Sequence, residues 1–202
     1  MKKKIIYFLT FVLLSLSAVG AEPFQLSLPG NNNFPDSQDV SGARLSLLYG
    51  EARNVKGLNV SIFGVSEVEN FTGLEFDWFF GANRVRNEFK GVALGWVNWH
   101  EGQDTGVNIG FVNFVNNVNG VNLGGFNYSQ GLTQINIGLV NVGLYESLID
   151  IGFVNYSEST TFQIGLINAT KNLDGLQVGI INYAENGIFP VLPLVNFRKT
   201  LY

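Results

Sequence analysis

Apolar and polar residues alternate with a period of two along most of this chain, and the alternation is itself repeated. The unit is Gly-apolar-amide-apolar-Gly-apolar-apolar-Asn, as in Gly106-Val107-Asn108-Ile109-Gly110-Phe111-Val112-Asn113. It returns over 120–127, 134–141, 150–155, 163–168 and 175–182, and its closing Asn stands at 98, 113, 127, 141, 155, 168, 182 and 196. With the middle Gly at position 0, odd positions carry Val107, Ile109, Phe111 and Asn113, and even positions carry Gly106, Asn108, Gly110 and Val112. Alternation at period two indicates strand, because a helix needs apolar residues three and four apart. A period this regular dictates architecture before any single residue suggests chemistry.

Short polar gaps at 115–117, 129–131, 170–172 and 184–186 read as tight turns. Degenerate copies at 24–28, 43–49, 58–64, 74–80 and 92–99 bring the total to about 12 strands, more than an open sheet with one oily face tolerates. The fold expected is all-β: an antiparallel up-and-down meander of about 12 short-turn strands closed into a barrel. Its bulky face would be outside and its Gly, Asn and Gln would line a lumen, the pattern of an outer-membrane barrel. The alternative is a β-solenoid of 14-residue repeats, in which parallel coils stack Gly and Asn as ladders. A meander gives no reason for alternate strands to share one motif in the same polarity, whereas fourteen residues is short for a coil.

Composition adds an address. Met1-Lys2-Lys3-Lys4, the apolar run 5–16 and the small residues 17–21 read as a secretory signal peptide over 1–21, followed by a single β-repeat domain at 22–202. The chain has no Cys, which excludes disulfides and a lipidated cysteine anchor. Beyond residue 21 there are 9 basic residues against 16 acidic, a net charge of −7, which argues against nucleic acid as a partner. Charged residues make up 14% of the chain, against about 25% for an ordinary soluble domain, so much of the surface need not face water. The expected location is the outer membrane or cell surface, with the lipid bilayer of the outer membrane as partner.

Phe162-Gln163-Ile164-Gly165-Leu166-Ile167-Asn168 and the phrase at 175–182, with the opening Leu47-Leu48-Tyr49-Gly50 and the ending at 189–197, resemble bacterial surface repeat-containing proteins first named from a spirochaete. The resemblance covers about residues 24–197. It implies an exported surface protein and brings no catalytic or binding residues with it.

The residues that could carry chemistry are those that break the phrase. Arg44, Glu75 and Asp150 fall at position −2 and Asp77 at position 0. All four lie on the expected lumen face, where charge sets ion preference. Glu75 and Asp77 are two apart on one strand, as a cation site or acid/base pair could be; the structural alternative is that a wet interior tolerates them and Arg44 neutralises them. The single His, His100, lies in a polar stretch with Glu101 and Asp104 that reads as a turn. One His without Cys does not make a transition-metal site. No catalytic residue, cofactor or metal is expected, and the chain does not read as an enzyme. Two functions remain: an outer-membrane barrel with a structural or narrow-channel role, or a surface-displayed β-repeat scaffold for adhesion. The second would bind glycan or host protein through exposed amides and aromatics.

Overall fold

The computed structural model describes residues 20–30 and 32–199; the expected signal peptide lies outside these, apart from Gly20 and Ala21. The chain divides into two compact units, Met1–Trp99 and His100–Tyr202. The first holds β1 (Glu22–Leu28), β2 (Asn32–Phe34), β3 (Asp39–Ser46), β4 (Tyr49–Ser61), β5 (Val65–Asp77) and the start of β6 (Ala82–Ser129). The second holds the rest of β6, then β7 (Thr133–Ile151), β8 (Val154–Ile164), β9 (Ile167–Ala184) and β10 (Val191–Phe197). No helix occurs among the described residues.

Pairing decides the fold against the barrel. In the first unit β1–β3, β3–β4, β4–β5 and β5–β6 are parallel, with partners 15 to 19 residues apart. In the second, β6–β7, β7–β8 and β8–β9 are parallel, with partners 13 to 15 apart. Successive repeats therefore lie beside one another in the same direction, which one chain achieves only by winding round once per repeat. Each unit is a β-solenoid. Among the described residues, pairing turns antiparallel where β2 folds back on β1 and β10 on β9. The long β6 is itself wound: Asn108 and Asn122, both within it, donate and accept one hydrogen bond of 2.9 Å.

The antiparallel meander fails on strand direction, and the corners match the polar gaps only in part. The gaps at 129–131 and 184–186 hold a bend at Gln130-Gly131 and a turn at Glu185-Asn186. Residues 115–117 and 170–172 are strand, however, and further bends occur at Gly152-Phe153 and Gly165-Leu166, inside the repeated phrase. A corner between position 0 and the closing Asn reverses the expected parity. Asn113 faces inward together with Asn108, while Ile109 and Phe111 face out. The shared motif polarity that a meander could not explain is what parallel stacking requires.

Glycine makes the coils close. In the first unit Gly42, Gly57, Gly73 and Gly91 pair in register across four neighbouring strands. A Cβ added to Gly73, which sits at φ +142°, would run into the carbonyl oxygen of Gly57. Beside this column an apolar one runs through Val40, Val55, Phe71 and Phe89. All four are buried, and the two Phe rings stack with centroids 5.7 Å apart. The first unit thus has an apolar core on one side of its coil.

Gly73→Ala should cost about 3 kcal/mol, the sum of a left-handed backbone strain and an overpacked contact. Thr72→Ala next to it, at an exposed position, should be close to neutral. Urea denaturation of both variants checks this, and equal midpoints would refute the in-register packing of the glycine column.

Candidate functional site

The inside of the second unit is lined with amides. Asn113, Asn127, Asn141, Asn155, Asn168 and Asn182 are buried one above another. Each Nδ2 donates to the Oδ1 of the next coil's Asn at 2.7–2.8 Å. The same nitrogens also donate to a backbone carbonyl of the next coil, at 3.0–3.1 Å from Leu123 O through Val178 O. Asn182 ends the column on Leu192 O of β10 at 3.2 Å. Both amide hydrogens of every step are thereby used, the condition under which a buried polar column stabilises rather than costs.

A second column runs along position −2, and its polarity reverses at Asp150. From one side Asn108 donates to Asn122 at 2.9 Å, Asn122 to Asn136 at 2.8 Å and Asn136 to Asp150 Oδ1 at 2.9 Å. From the other side Gln177 donates to Gln163 at 2.8 Å and Gln163 to Asp150 Oδ2 at 3.3 Å. The hydroxyls of Ser147 and Ser157 each add a donor at 2.6 Å. Four donors converge on one fully buried carboxylate, and an ionised carboxylate is the side chain that only accepts. At the other end of this column Asp104 Oδ2 accepts from Asn108 at 2.9 Å and lies 2.7 Å from His100 Nδ1. These residues are buried in β6, where the sequence suggested a turn.

Arg44, Glu75 and Asp77 occupy the interior of the first unit. There is no lumen for them to line. Arg44 and Glu75 share one column with Asn59 between them. Arg44 Nε donates to Gln25 Oε1 at 2.9 Å and its Nη1 to Ser66 Oγ at 2.6 Å, while Asn59 Nδ2 donates to Glu75 Oε1 at 3.0 Å. The guanidinium fits because the facing residue is Gly50, where a Cβ would stand 2.6 Å from Nη2. Burial lowers the Arg44 guanidinium from its ordinary value to about 10, with Glu75, Tyr49 and Glu51 opposing. It therefore stays charged at neutral pH. The folded state carries this desolvation cost at every pH below about 10, and the cost shrinks as pH rises from there toward the ordinary arginine value.

Asp77 belongs to a different column, after Ser46 and Ser61. Its carboxylate fills the space left by the missing side chain of Gly95. Glu75 and Asp77 do face the same way, as the alternation predicts, but into packed interior rather than solvent. All four phrase-breaking charges, expected on a lumen face, are thus buried in a packed interior, with hydrogen bonds to Arg44, Glu75 and Asp150.

What remains open to a partner is the outside. In the second unit Gly124, Gly138, Gly152, Gly165 and Gly179 form the floor of a groove of about 790 Å³. Glycine is required here, since a Cβ at Gly138 would lie 2.5 Å from Gly124 O and 2.8 Å from Asn127 Nδ2. One wall is Leu123, Ile137, Ile151, Ile164 and Val178; the other includes Leu139, Phe153, Leu166 and Ile180. Phe153 and Ile180 are 60% and 62% exposed. In the first unit an aromatic cluster is exposed at the coil corners. Phe63 stacks on Phe79 at 5.1 Å, Phe79 on Trp78 at 5.9 Å, and Phe80 packs on Trp96 at 5.6 Å. Phe79 holds a left-handed φ of +57°, an outlier for a bulky residue of the kind that gathers at functional sites. The alternation did mark these apolar positions as outward. It did not show that the glycines between them make a groove, because that depends on where the corner falls.

Comparisons with protein families, with curated proteins and with solved structures gave no match.

Two outcomes follow from the interior. Asp150→Asn places two donors among four others and removes the charge, so it should destabilise by about 3 kcal/mol, measured by urea denaturation; an unchanged midpoint would show that the donors do not converge as described. Arg44→Gln and Glu75→Gln should each destabilise the protein, while the double variant, which turns the column into amides, should recover about 1–3 kcal/mol relative to additivity. A double-mutant cycle with strictly additive terms would contradict the coupling.

Proposed function

We propose that the chain is an exported cell-surface β-solenoid scaffold that binds rather than catalyses, and that it works by laying apolar surface against the lipid of a membrane. One observation carries this reading. The coils of the second unit turn their amides inward, and large aliphatic and aromatic side chains stand outside in both units, the reverse of a soluble domain. Exposed apolar area on this scale marks an interaction surface. The aromatic cluster of the first unit adds two Trp, the residue type favoured where membrane meets water. The net charge of −7 beyond residue 21 makes a zwitterionic surface a better partner than an anionic one.

Adhesion to glycan through the repeated amides loses its residues. The Asn column is buried, with its hydrogen bonds made between coils, so it offers nothing to a sugar.

Flotation of the protein lacking residues 1–21 with phosphatidylcholine vesicles tests the reading. The protein should rise with the vesicles, high salt should leave the bound fraction nearly unchanged, and tryptophan emission should shift to the blue. Protein that stays at the bottom of the gradient with vesicles present would refute it.

A further inference from the structure

The groove of the second unit has features that a merely oily surface does not need. Its floor is one glycine per coil, Gly138 paired with Gly124 and each later glycine set against the carbonyl of the one before. Along the middle coils the backbone N–H groups of its floor are already donated between coils. Gly152 N donates to Ile164 O, Phe153 N to Leu139 O, Gly165 N to Val178 O and Leu166 N to Phe153 O, all at 2.9–3.0 Å. It is lined by Gly, Leu, Ile, Val and Phe, with no charged or amide side chain on its wall.

The trough is also stopped at one end. Where the next coil would place another glycine beside Gly179, β10 places Leu194. Leu194 sits at φ +71°, next to an irregularity in the β9–β10 register, and its side chain lines the groove. A bulky residue in the left-handed region costs about 1–3 kcal/mol and persists where the surrounding structure demands it. A register irregularity in a strand is a common device for re-aiming a side chain. The leucine caps the trough.

We propose that this groove holds a single acyl chain of a membrane phospholipid, lying along the glycine floor with its methyl end against Leu194. The occupant must be linear, uncharged and free of hydrogen-bonding groups. A peptide strand fits worse, since its C=O groups would be buried against floor N–H groups that are already donated. Four inter-strand steps from Gly124 to Gly179 give a length of about 19 Å. One leaflet of a hydrocarbon core about 30 Å thick is about 15 Å, so a groove of this length takes one acyl chain and not two end to end. The inference deepens the membrane reading and rests on it.

Lysophosphatidylcholines of increasing chain length, each below its micelle concentration, test the assignment by equilibrium dialysis and native mass spectrometry. Binding should saturate at one lipid per chain. Affinity should rise by about two- to fourfold per added methylene and level off once the chain fills the groove. Leu194→Gly, which suits the left-handed backbone, should move that ceiling to longer chains. The double variant Phe153→Ser/Leu166→Ser, changed at exposed walls, should bind at least about tenfold more weakly with an unchanged melting temperature. Absence of saturable binding, or binding indifferent to both sets of substitutions, overturns the assignment. If vesicle flotation persists in that case, the surface reading stands without the groove; if flotation fails as well, both fall.

Discussion

Parallel in-register stacking makes every residue its own neighbour, and the rest of this structure depends on that constraint. Whatever stands at one position of a coil meets the same position of the next coil about 4.8 Å away. Only side chains that are compatible with copies of themselves can be used repeatedly. Asn passes because it carries a donor and an acceptor, so Asn127 can accept from Asn113 and donate to Asn141. Phe passes by stacking, as Phe71 and Phe89 do. Glycine passes by leaving room for the neighbouring carbonyl. Charge does not pass, since like charges in one column repel.

The charged interior residues are the exceptions that this rule permits. Arg44 and Glu75 share a column but are kept apart by Asn59, so opposite charges stand two coils apart with an amide between them. Asp150 stands where two amide chains of opposite direction meet, and a chain of donors running in from both sides needs an acceptor-only terminus. Both arrangements read as solutions to the stacking problem and not as chemistry waiting for a substrate. The same constraint operates at the ends, where a stack of parallel strands would otherwise present an open edge for further coils. There β2 and β10 run antiparallel to their neighbours, and Pro29, Pro35, Pro190 and Pro193, which lack a backbone donor, lie in or beside them.

A polar interior knit by amide columns also explains how large apolar residues come to be outside. In an ordinary domain burial of apolar area drives folding. In the second unit the buried apolar residues among those described are Val115, Val118, Leu173 and Ala184, and hydrogen-bonded columns fill the rest. The aliphatic residues at positions −1 and +1 stay on the outer side. The corner at the middle Gly spreads them into two walls with a bare backbone floor between. The Leu194 cap ends that floor in the last strand, by an antiparallel return that belongs to the capping of the stack.

The alternation of Val107, Ile109 and their counterparts by itself determined that the chain is strand, because no helix accommodates period two. It also determined that one face is bulky and the other small or polar, and that Arg44, Glu75, Asp77 and Asp150 face inward. The repeat length determined the spacing at which equivalent residues meet. Direction was decided only by the tertiary structure: parallel and antiparallel neighbours both satisfy period two, and the choice lies in backbone hydrogen bonds between coils that no local pattern reports. The same holds for the corner after Gly152, which moved Asn155 to the inside, and for the conversion of a supposed lumen into a packed interior. A run of glycine, leucine and phenylalanine says that a position is small or oily; only the fold says that Gly124 through Gly179 line up into a groove ending at Leu194.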